Sequence, residues 1–210
     1  MSRPTPAPEV FPAVPVRIFL AGFMGAGKTT IGALLAGRLR WEFVDSDRVV
    51  EARAGAAIAE IFSRQGEAAF RRLEAEAIRE AAQGEQRVIG LGGGALESAA
   101  TRGFLASLPD SVLVFLDASL ETLLARCGAH VGGPVRPVLA DRAHIEERWR
   151  ARLPFYRQAQ LTVDTSALAP EAVAERILDG LDAKIAASGS TSARPAGAPW
   201  SGERKPGVPA

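Results

Sequence analysis

Short apolar runs alternate with segments of helical periodicity along most of the chain. Val16–Ala21 is an apolar run that ends at a glycine, which predicts a buried strand. Between Lys28 and Arg40, apolar residues recur with the three- and four-residue spacing of one helix face. Further short apolar runs predict strands at residues 41–44, 87–91, 112–116 and 161–163.

Helical patterns fill the segments between several of these runs. Residues 48–83 read as helical, with breaks predicted at Gly55 and Gly66. Pro170 opens a last helix, since proline is favoured at the first helical position. Strands that alternate with helices predict a three-layer α/β/α fold, with a five-stranded parallel sheet covered on both faces.

Composition divides the chain into one domain and two tails. Residues 1–15 contain five prolines, and 187–210 are mostly Ala, Gly, Ser and Pro, which predicts disordered tails around a domain at 16–186. The 25 basic and 24 acidic residues leave a net charge of +1, so charge gives no reason to expect nucleic acid or membrane as partners. The single cysteine, Cys127, forms no internal disulfide, and no apolar run approaches the roughly 20 residues that span a bilayer. We therefore expect a cytoplasmic protein.

A phosphate-binding motif follows the first predicted strand. GFMGAGKT at residues 22–29 matches G-x-x-x-x-G-K-[ST] completely and opens a predicted helix, which is the context this P-loop motif requires. Lys28 is expected to reach the β- and γ-phosphates of a nucleoside triphosphate, and Thr29 to ligate Mg²⁺. The predicted ATP-binding residues of this segment are Gly25, Ala26, Gly27, Lys28, Thr29 and Thr30. Many nucleotide hydrolases and kinases share the motif, so it does not define the reaction.

Two acidic residues and three glycines follow the next two predicted strands. Asp45 and Asp47 are two residues apart, so in extended chain their carboxylates point the same way. One could hold the hydration shell of Mg²⁺ while the other accepts a hydroxyl proton, or both could serve only as turn or helix caps. Gly92–Gly94 either lets backbone N–H groups approach a ligand closely or forms a flexible turn.

Arginines are the candidate ligands for a substrate carboxylate. Arg71 and Glu74 are three residues apart on a predicted helix, so they could form a simple ion pair, or Arg71 could bind a carboxylate through its two-pronged guanidinium. Arg152 follows Arg148 and Arg150, and on composition alone this group reads as a solvated helix face. The glycine- and proline-containing segment 128–142 predicts a mobile lid that excludes water.

Six motifs in order resemble those of the shikimate kinase family. They are GFMGAGKTTIG at 22–32, DSD at 45–47, FRRLE at 70–74, GGG at 92–94, RPVL at 136–139 and RLPFY at 152–156. The resemblance covers about residues 16–182 and implies the nucleoside monophosphate kinase branch of P-loop folds. It implies transfer of the ATP γ-phosphate to the 3-hydroxyl of shikimate, in chorismate and aromatic amino-acid biosynthesis, by a monomer that uses Mg²⁺.

The resemblance also assigns roles to particular residues. The implied catalytic residues are Lys28, Asp47 and Arg136, the last carried by the lid. The implied shikimate-binding residues are Asp47, Arg71, Gly93 and Arg152. Thr29, and Asp45 through water, would hold Mg²⁺, and the further ATP contacts would be Arg126, Arg136 and Pro170.

The chain departs from the family pattern at two nucleotide-side segments. Residues 127–135, CGAHVGGPV, make the lid a few residues longer than usual, and Ala167, Leu168 and Ala169 stand where a basic or amide side chain is common. Two alternatives remain at this stage. One is a related kinase, such as a gluconate kinase, that acts on another hydroxy acid. The other is a non-catalytic ligand-sensing domain that reuses the fold.

Overall fold

The computed structural model describes residues 15–128 and 142–187. The strands are β1 Arg17–Ala21, β2 Glu42–Asp45, β3 Arg87–Gly90, β4 Ser111–Asp117 and β5 Leu161–Asp164. The helices are α1 Lys28–Leu39, α2 Ser46–Ala54, α3 Ile58–Ala81, α4 Ala99–Ser107, α5 Leu120–Gly128, α6 Arg142–Tyr156 and α7 Pro170–Ala187. A short 3-10 turn, Ala95–Glu97, lies between β3 and α4. Within the described ranges, no helix has the length and apolarity needed to cross a membrane.

Three of the predictions concern residues that lie almost entirely outside the described ranges. These are the tails at 1–15 and 187–210 and the lid at 128–142. Arg136 belongs to the same undescribed part of the chain.

The five strands form one parallel sheet, as the alternating pattern predicts. The strand order is β2-β3-β1-β4-β5, and each neighbouring pair is parallel. The successive β1 residues Ile18, Phe19 and Leu20 point to alternate faces of the sheet, yet each is at most 1% exposed. Helices therefore cover both faces, which confirms the predicted α/β architecture.

The carboxyl ends of the three strands on one side of the sheet finish level with one another. Asp45 at the end of β2 pairs with Gly90 at the end of β3, and Gly90 pairs with Leu20 of β1. The loops that follow these strands therefore emerge side by side. This edge is where open α/β sheets bind their ligands.

Helices α2 and α3 form an arm with a small apolar cluster of its own. The cluster is separate from the main core around the sheet and consists of Val50, Ile61, Phe70 and Ala77. Both predicted breaks are confirmed: Gly55 ends α2 in the left-handed region at φ 60°, and Gly66 kinks α3 with φ 76° and ψ 173°. The α2–α3 arm thus holds its shape while it extends over the carboxyl edge of the sheet.

The structure corrects the expectation of extended chain through Asp45 and Asp47. Helix α2 begins at Ser46, and Asp45 is its N-cap, because the Asp45 carboxylate accepts a hydrogen bond from the Asp47 N–H at 3.0 Å. The two carboxylates therefore have different surroundings. The sequence also assigned no element to residues 95–107, where Ser98 caps α4 by accepting the N–H of Thr101.

Candidate active site

The loop between β1 and α1 presents backbone groups at the start of a helix. Gly27 is the N-cap of α1 at φ 89°, and no side chain caps this helix end. The first N–H groups of the helix and its positive dipole end therefore face the loop. Lys28 Nζ donates to the carbonyls of Gly22 at 2.7 Å and Phe23 at 3.1 Å, which holds the ammonium across the loop. This arrangement fits the phosphates of a nucleotide.

Gly25 is required in this loop for two reasons. Its φ of +76° is unfavourable for any residue with a side chain, and an added Cβ would lie 2.4 Å from the Leu123 carbonyl oxygen. The same Cβ would lie 3.0 Å from Cys127 Sγ. Helix α5 thus packs directly against the back of the phosphate-binding loop.

Thr29 and Asp45, the two predicted metal ligands, lie in contact. The Thr29 hydroxyl donates to Asp45 Oδ2 at 3.1 Å, while the other Asp45 oxygen caps α2. A hydroxyl and a carboxylate beside a phosphate loop are the hard oxygen donors that Mg²⁺ prefers. Among the described residues no group of three acidic, histidine or cysteine side chains could hold a metal alone. The pair therefore suits a metal that takes most of its ligands from phosphate and water.

Asp47 and Glu74 meet above the triple glycine. A Cβ on Gly92 would lie 2.6 Å from Asp47 Oδ1 and 2.7 Å from Glu74 Oε1, so both carboxylates pass over the glycine backbone. The Gly92 N–H donates to the buried Ser46 hydroxyl at 2.9 Å, which joins the start of α2 to this turn. The glycines therefore allow a close approach of the α2–α3 arm.

Glu74 is a buried acid with a perturbed pKa. Its side chain is only 2% exposed. Burial raises the pKa of Glu74, the nearby Asp47 carboxylate raises it further, and the Arg71 guanidinium opposes both effects. Asp47 thus shares its surroundings with a carboxyl group that takes up a proton more readily than an exposed glutamate.

Arg71 lies among three glutamates. Its guanidinium contacts Glu74 at 2.8 Å, Glu67 at 3.1 Å and Glu97 at 3.0 Å. The simple pairing with Glu74 that the spacing allowed is therefore present, but it uses one nitrogen of the guanidinium. The neighbouring Arg72 is exposed.

Arg152 of α6 completes the cluster from the opposite side. Its Nη2 contacts Glu97 Oε2 at 3.1 Å, so one glutamate oxygen bridges Arg152 and Arg71. The guanidinium also lies 5.7 Å from the centre of the Phe23 ring in the phosphate-binding loop. Arg152 therefore lies between the phosphate-binding loop and the cluster around Arg71.

The reading of residues 148–152 as one solvated helix face is wrong for Arg152. Its side chain is 12% exposed, whereas that of Arg150 is 71% exposed and pairs with Glu146 on the same helix. One turn further on, the buried Tyr156 hydroxyl donates to the Gly93 carbonyl. This hydrogen bond anchors α6 to the triple glycine and turns Arg152 inward.

Arg126 and Pro170, two of the predicted ATP contacts, lie on the side of the sheet where β5 is the edge strand. Arg126 of α5 donates to the hydroxyl of Thr165 at 3.0 Å and to its backbone carbonyl. Thr165 begins the loop that ends at the exposed Pro170, the first residue of α7. The structure thus brings Arg126 and this loop together.

Sequence reasoning assigned no role to Tyr156, although it lies in the RLPFY motif, and did not single out Glu97. Tyr156 is four residues after Arg152, so helix periodicity could have placed both on one face. Glu97 carries no comparable signal, since it ends an irregular turn and meets residues 26 and 55 positions away.

The fold and the site define the class of protein first. A P-loop that faces an acid and two guanidinium groups across the carboxyl edge of a parallel sheet is the arrangement of a P-loop kinase for a small anionic molecule. The family follows from comparison with known proteins. Residues 24–182 match the family model for shikimate kinase, and the chain belongs to that family.

Two bacterial relatives with about 40% sequence identity to this chain are themselves shikimate kinases. The shikimate kinase of Bordetella pertussis is 39% identical over 177 residues, which cover 84% of this chain and 83% of the relative. The shikimate kinase of Moorella thermoacetica is 40% identical, over 81% of this chain and 96% of its own.

Solved structures agree on the fold. A crystal structure of shikimate kinase from Bacteroides thetaiotaomicron matches with a TM-score of 0.71 and 34% identity, over 78% of this chain and 97% of that one. Shikimate kinase from Acinetobacter baumannii in complex with shikimate matches with a TM-score of 0.69 and 36% identity, over 80% and 93%. A gluconokinase from Sinorhizobium meliloti has a TM-score of 0.60 at 18% identity, over 85% and 98%, and so shares the fold alone.

Proposed function

We propose that this member of the shikimate kinase family transfers the γ-phosphate of ATP to the 3-hydroxyl of shikimate, giving shikimate 3-phosphate and ADP. The observation that carries the proposal is the convergence of Asp47, Arg71 and Arg152 beside the phosphate-binding loop. An acid for the hydroxyl and two guanidinium groups for the carboxylate match the two functional ends of shikimate.

The nucleotide half of the site, which comprises the loop at residues 22–30 and the further ATP contacts, binds the phosphates mainly through backbone N–H groups. In our proposal the N–H groups of residues 25–30 surround the phosphates, and Lys28 moves its ammonium from the loop carbonyls onto the β- and γ-phosphates. Arg126 and Pro170 border the adenine. Arg136, which lies outside the described residues, is proposed to neutralise γ-phosphate charge when the lid covers the site.

Thr29 and Asp45 are proposed to hold Mg²⁺, with Asp45 acting through water. The metal, when bound there, would supply neutralisation of charge on the phosphate oxygens. The contact between the Thr29 hydroxyl and Asp45 keeps both oxygens at the phosphate end of the loop.

The substrate half binds and orients shikimate. Arg71 and Arg152 bind its carboxylate, the Gly93 backbone approaches the ring, and the Asp47 carboxylate accepts the proton of the 3-hydroxyl as that oxygen attacks the γ-phosphate. The Tyr156 hydrogen bond to the Gly93 carbonyl supports the backbone at this position. One chain supplies every residue named here, so we propose a monomer, and a cytoplasmic location remains a prediction.

The test is ADP release by the purified chain with Mg·ATP, alone and with shikimate or gluconate. We expect stimulation by shikimate. Asp47→Asn should lower turnover about 10²–10⁴-fold with ATP binding retained, since the proton acceptor is removed. Asp179→Asn, at an exposed position of α7, is the matched control. Unaltered turnover in Asp47→Asn would remove Asp47 from the mechanism. Stimulation by gluconate but not by shikimate would contradict the assignment of shikimate as the substrate.

A further inference from the structure

Glu97 lies between the two arginines that the proposed function assigns to the substrate carboxylate. Its Oε2 atom is 3.0 Å from Arg71 Nη2 and 3.1 Å from Arg152 Nη2. A carboxylate bound by both guanidinium groups would compete with Glu97 for these donor nitrogens. The glutamate thus makes, from within the chain, the contacts that a bound acid would make.

The glutamate backbone is held in place, whereas its side chain reaches solvent. The Glu97 N–H donates to the Gly94 carbonyl at 3.0 Å, and the Glu97 carbonyl accepts from Arg102 Nη1 at 2.9 Å. The side chain is 34% exposed. Rotation about its own bonds can therefore move the carboxylate away from the arginines without moving the turn.

Gly94 makes room for this pairing. A Cβ at this position would lie 2.6 Å from both terminal nitrogens of Arg71 and 2.7 Å from Glu97 Oε2. The ion pair therefore passes directly over the glycine backbone. The triple glycine serves this cluster as well as the approach of Asp47 and Glu74.

The charges around the arginines oppose entry of a further anion. Arg71 already contacts Glu67 and Glu74 in addition to Glu97. For Arg152, Glu97 is the one ion-pair partner among the described residues, and the buried Arg152 Nε has no hydrogen-bond partner among them. Glu97 thus occupies Arg152 Nη2, a terminal nitrogen that a ligand carboxylate could use.

We propose that Glu97 is an internal competitor of the substrate carboxylate. It holds Arg71 and Arg152 in their binding positions and is displaced when the carboxylate of shikimate takes both guanidinium groups. This inference rests on the proposed function of the same site. Glu97 is then a specificity-determining residue. A ligand without a carboxylate that displaced Glu97 could not replace the ion pairs of Glu97 with the two arginines.

The test is shikimate binding by Glu97→Gln, measured by calorimetry on the full chain. Glutamine keeps the shape but removes the charge, so the Kd and KM for shikimate should fall about threefold to tenfold, the effect of one or two partly exposed ion pairs. The KM for ATP should stay within about twofold, because the phosphate loop is unchanged. Glu67→Gln is the matched control, since Glu67 contacts Arg71 but is 67% exposed.

Weaker or unchanged shikimate binding in Glu97→Gln, at wild-type melting temperature, would overturn the inference. Glu97 would then only position the arginines. Glu97→Ala repeats the test if the glutamine variant folds poorly, with the same direction expected. Wild-type chain that neither binds nor phosphorylates shikimate would overturn the proposed function itself, which separates the two failures.

Discussion

The two halves of the proposed site differ in the groups that form them, backbone in one and side chains in the other. In our proposal the phosphate-binding part of the nucleotide half is a single stretch of chain, residues 22–30, whose binding groups are mostly backbone. The proposed substrate half consists of side chains from α2, α3, the 3-10 turn and α6, linked through Arg71, Glu97 and Arg152. The phosphate-binding loop is a local structure, whereas the proposed substrate half exists only when four elements pack together.

This difference suggests where specificity resides. Backbone N–H groups bind any nucleotide phosphate in the same way, so the loop suits many kinases. The proposed substrate half has more acids than bases, with Glu67, Glu74 and Glu97 around Arg71. Under our proposal it would select for ligands that can rearrange these ion pairs. Side chains can change without rebuilding the loop, so a family can diversify its substrates in this half.

Lys28→Met should break the nucleotide half alone. Loss of the ammonium removes stabilisation of charge in the transition state and should lower kcat about 10²–10³-fold. Shikimate binding, measured by calorimetry, should remain within about twofold of wild type. Lys184→Met in α7 is the control for a lost lysine. A comparable loss of shikimate binding in Lys28→Met would show that the halves are not separable.

Arg71→Ala should break the substrate half alone. Two or more charge-assisted hydrogen bonds to the substrate carboxylate are lost, so the shikimate KM should rise about 10- to 100-fold. The ATP KM should change far less. Arg72→Ala, one residue on and exposed, is the matched control in a steady-state ADP-release assay. Equal effects of Arg71→Ala on both substrates would contradict its assignment.

A pair of glycine variants tests backbone against side-chain construction. Gly25→Ala meets the Leu123 carbonyl at φ +76° and should lower the free energy of unfolding by about 2 kcal/mol or more. The three atoms nearest to an added Cβ at Gly94 are the ends of the Arg71 and Glu97 side chains, which can move. Gly94→Ala should destabilise less but raise the shikimate KM. Urea denaturation and kinetics give both quantities, and equal stability losses would refute the distinction.

Glu74→Gln should change the pH dependence of stability by a small amount. Burial raises the folded-state pKa of Glu74 above its ordinary value of 4.5, so the folded chain binds the proton more tightly than the unfolded chain. Protonated Glu74 therefore contributes to the free energy of unfolding fully below pH 4.5, and this contribution is lost as the pH rises through the raised pKa. Above pH 4.5 the melting temperature of Glu74→Gln should therefore decline less steeply with rising pH than that of the wild-type chain. Glu76→Gln at the surface is the control, and parallel slopes would argue against the shift.

The sequence predicted the features that depend on near neighbours in the chain. Five apolar runs became five strands, Gly55 and Gly66 ended or kinked helices, and the loop at 22–29 formed between strand and helix. Helix capping was also one of the two roles that the sequence left open for Asp45. Periodicity, glycine geometry and capping act over a few residues, so they can be read without knowing the fold.

Tertiary structure alone decided which charged groups meet. Arg152 points inward and Arg150 outward because Tyr156 ties α6 to Gly93, a contact between residues 63 positions apart. Glu97 bridges two arginines because the 3-10 turn, α3 and α6 converge above the carboxyl edge of the sheet. Ion pairs depend on distances of a few ångströms between distant segments, and only the packed chain sets those distances.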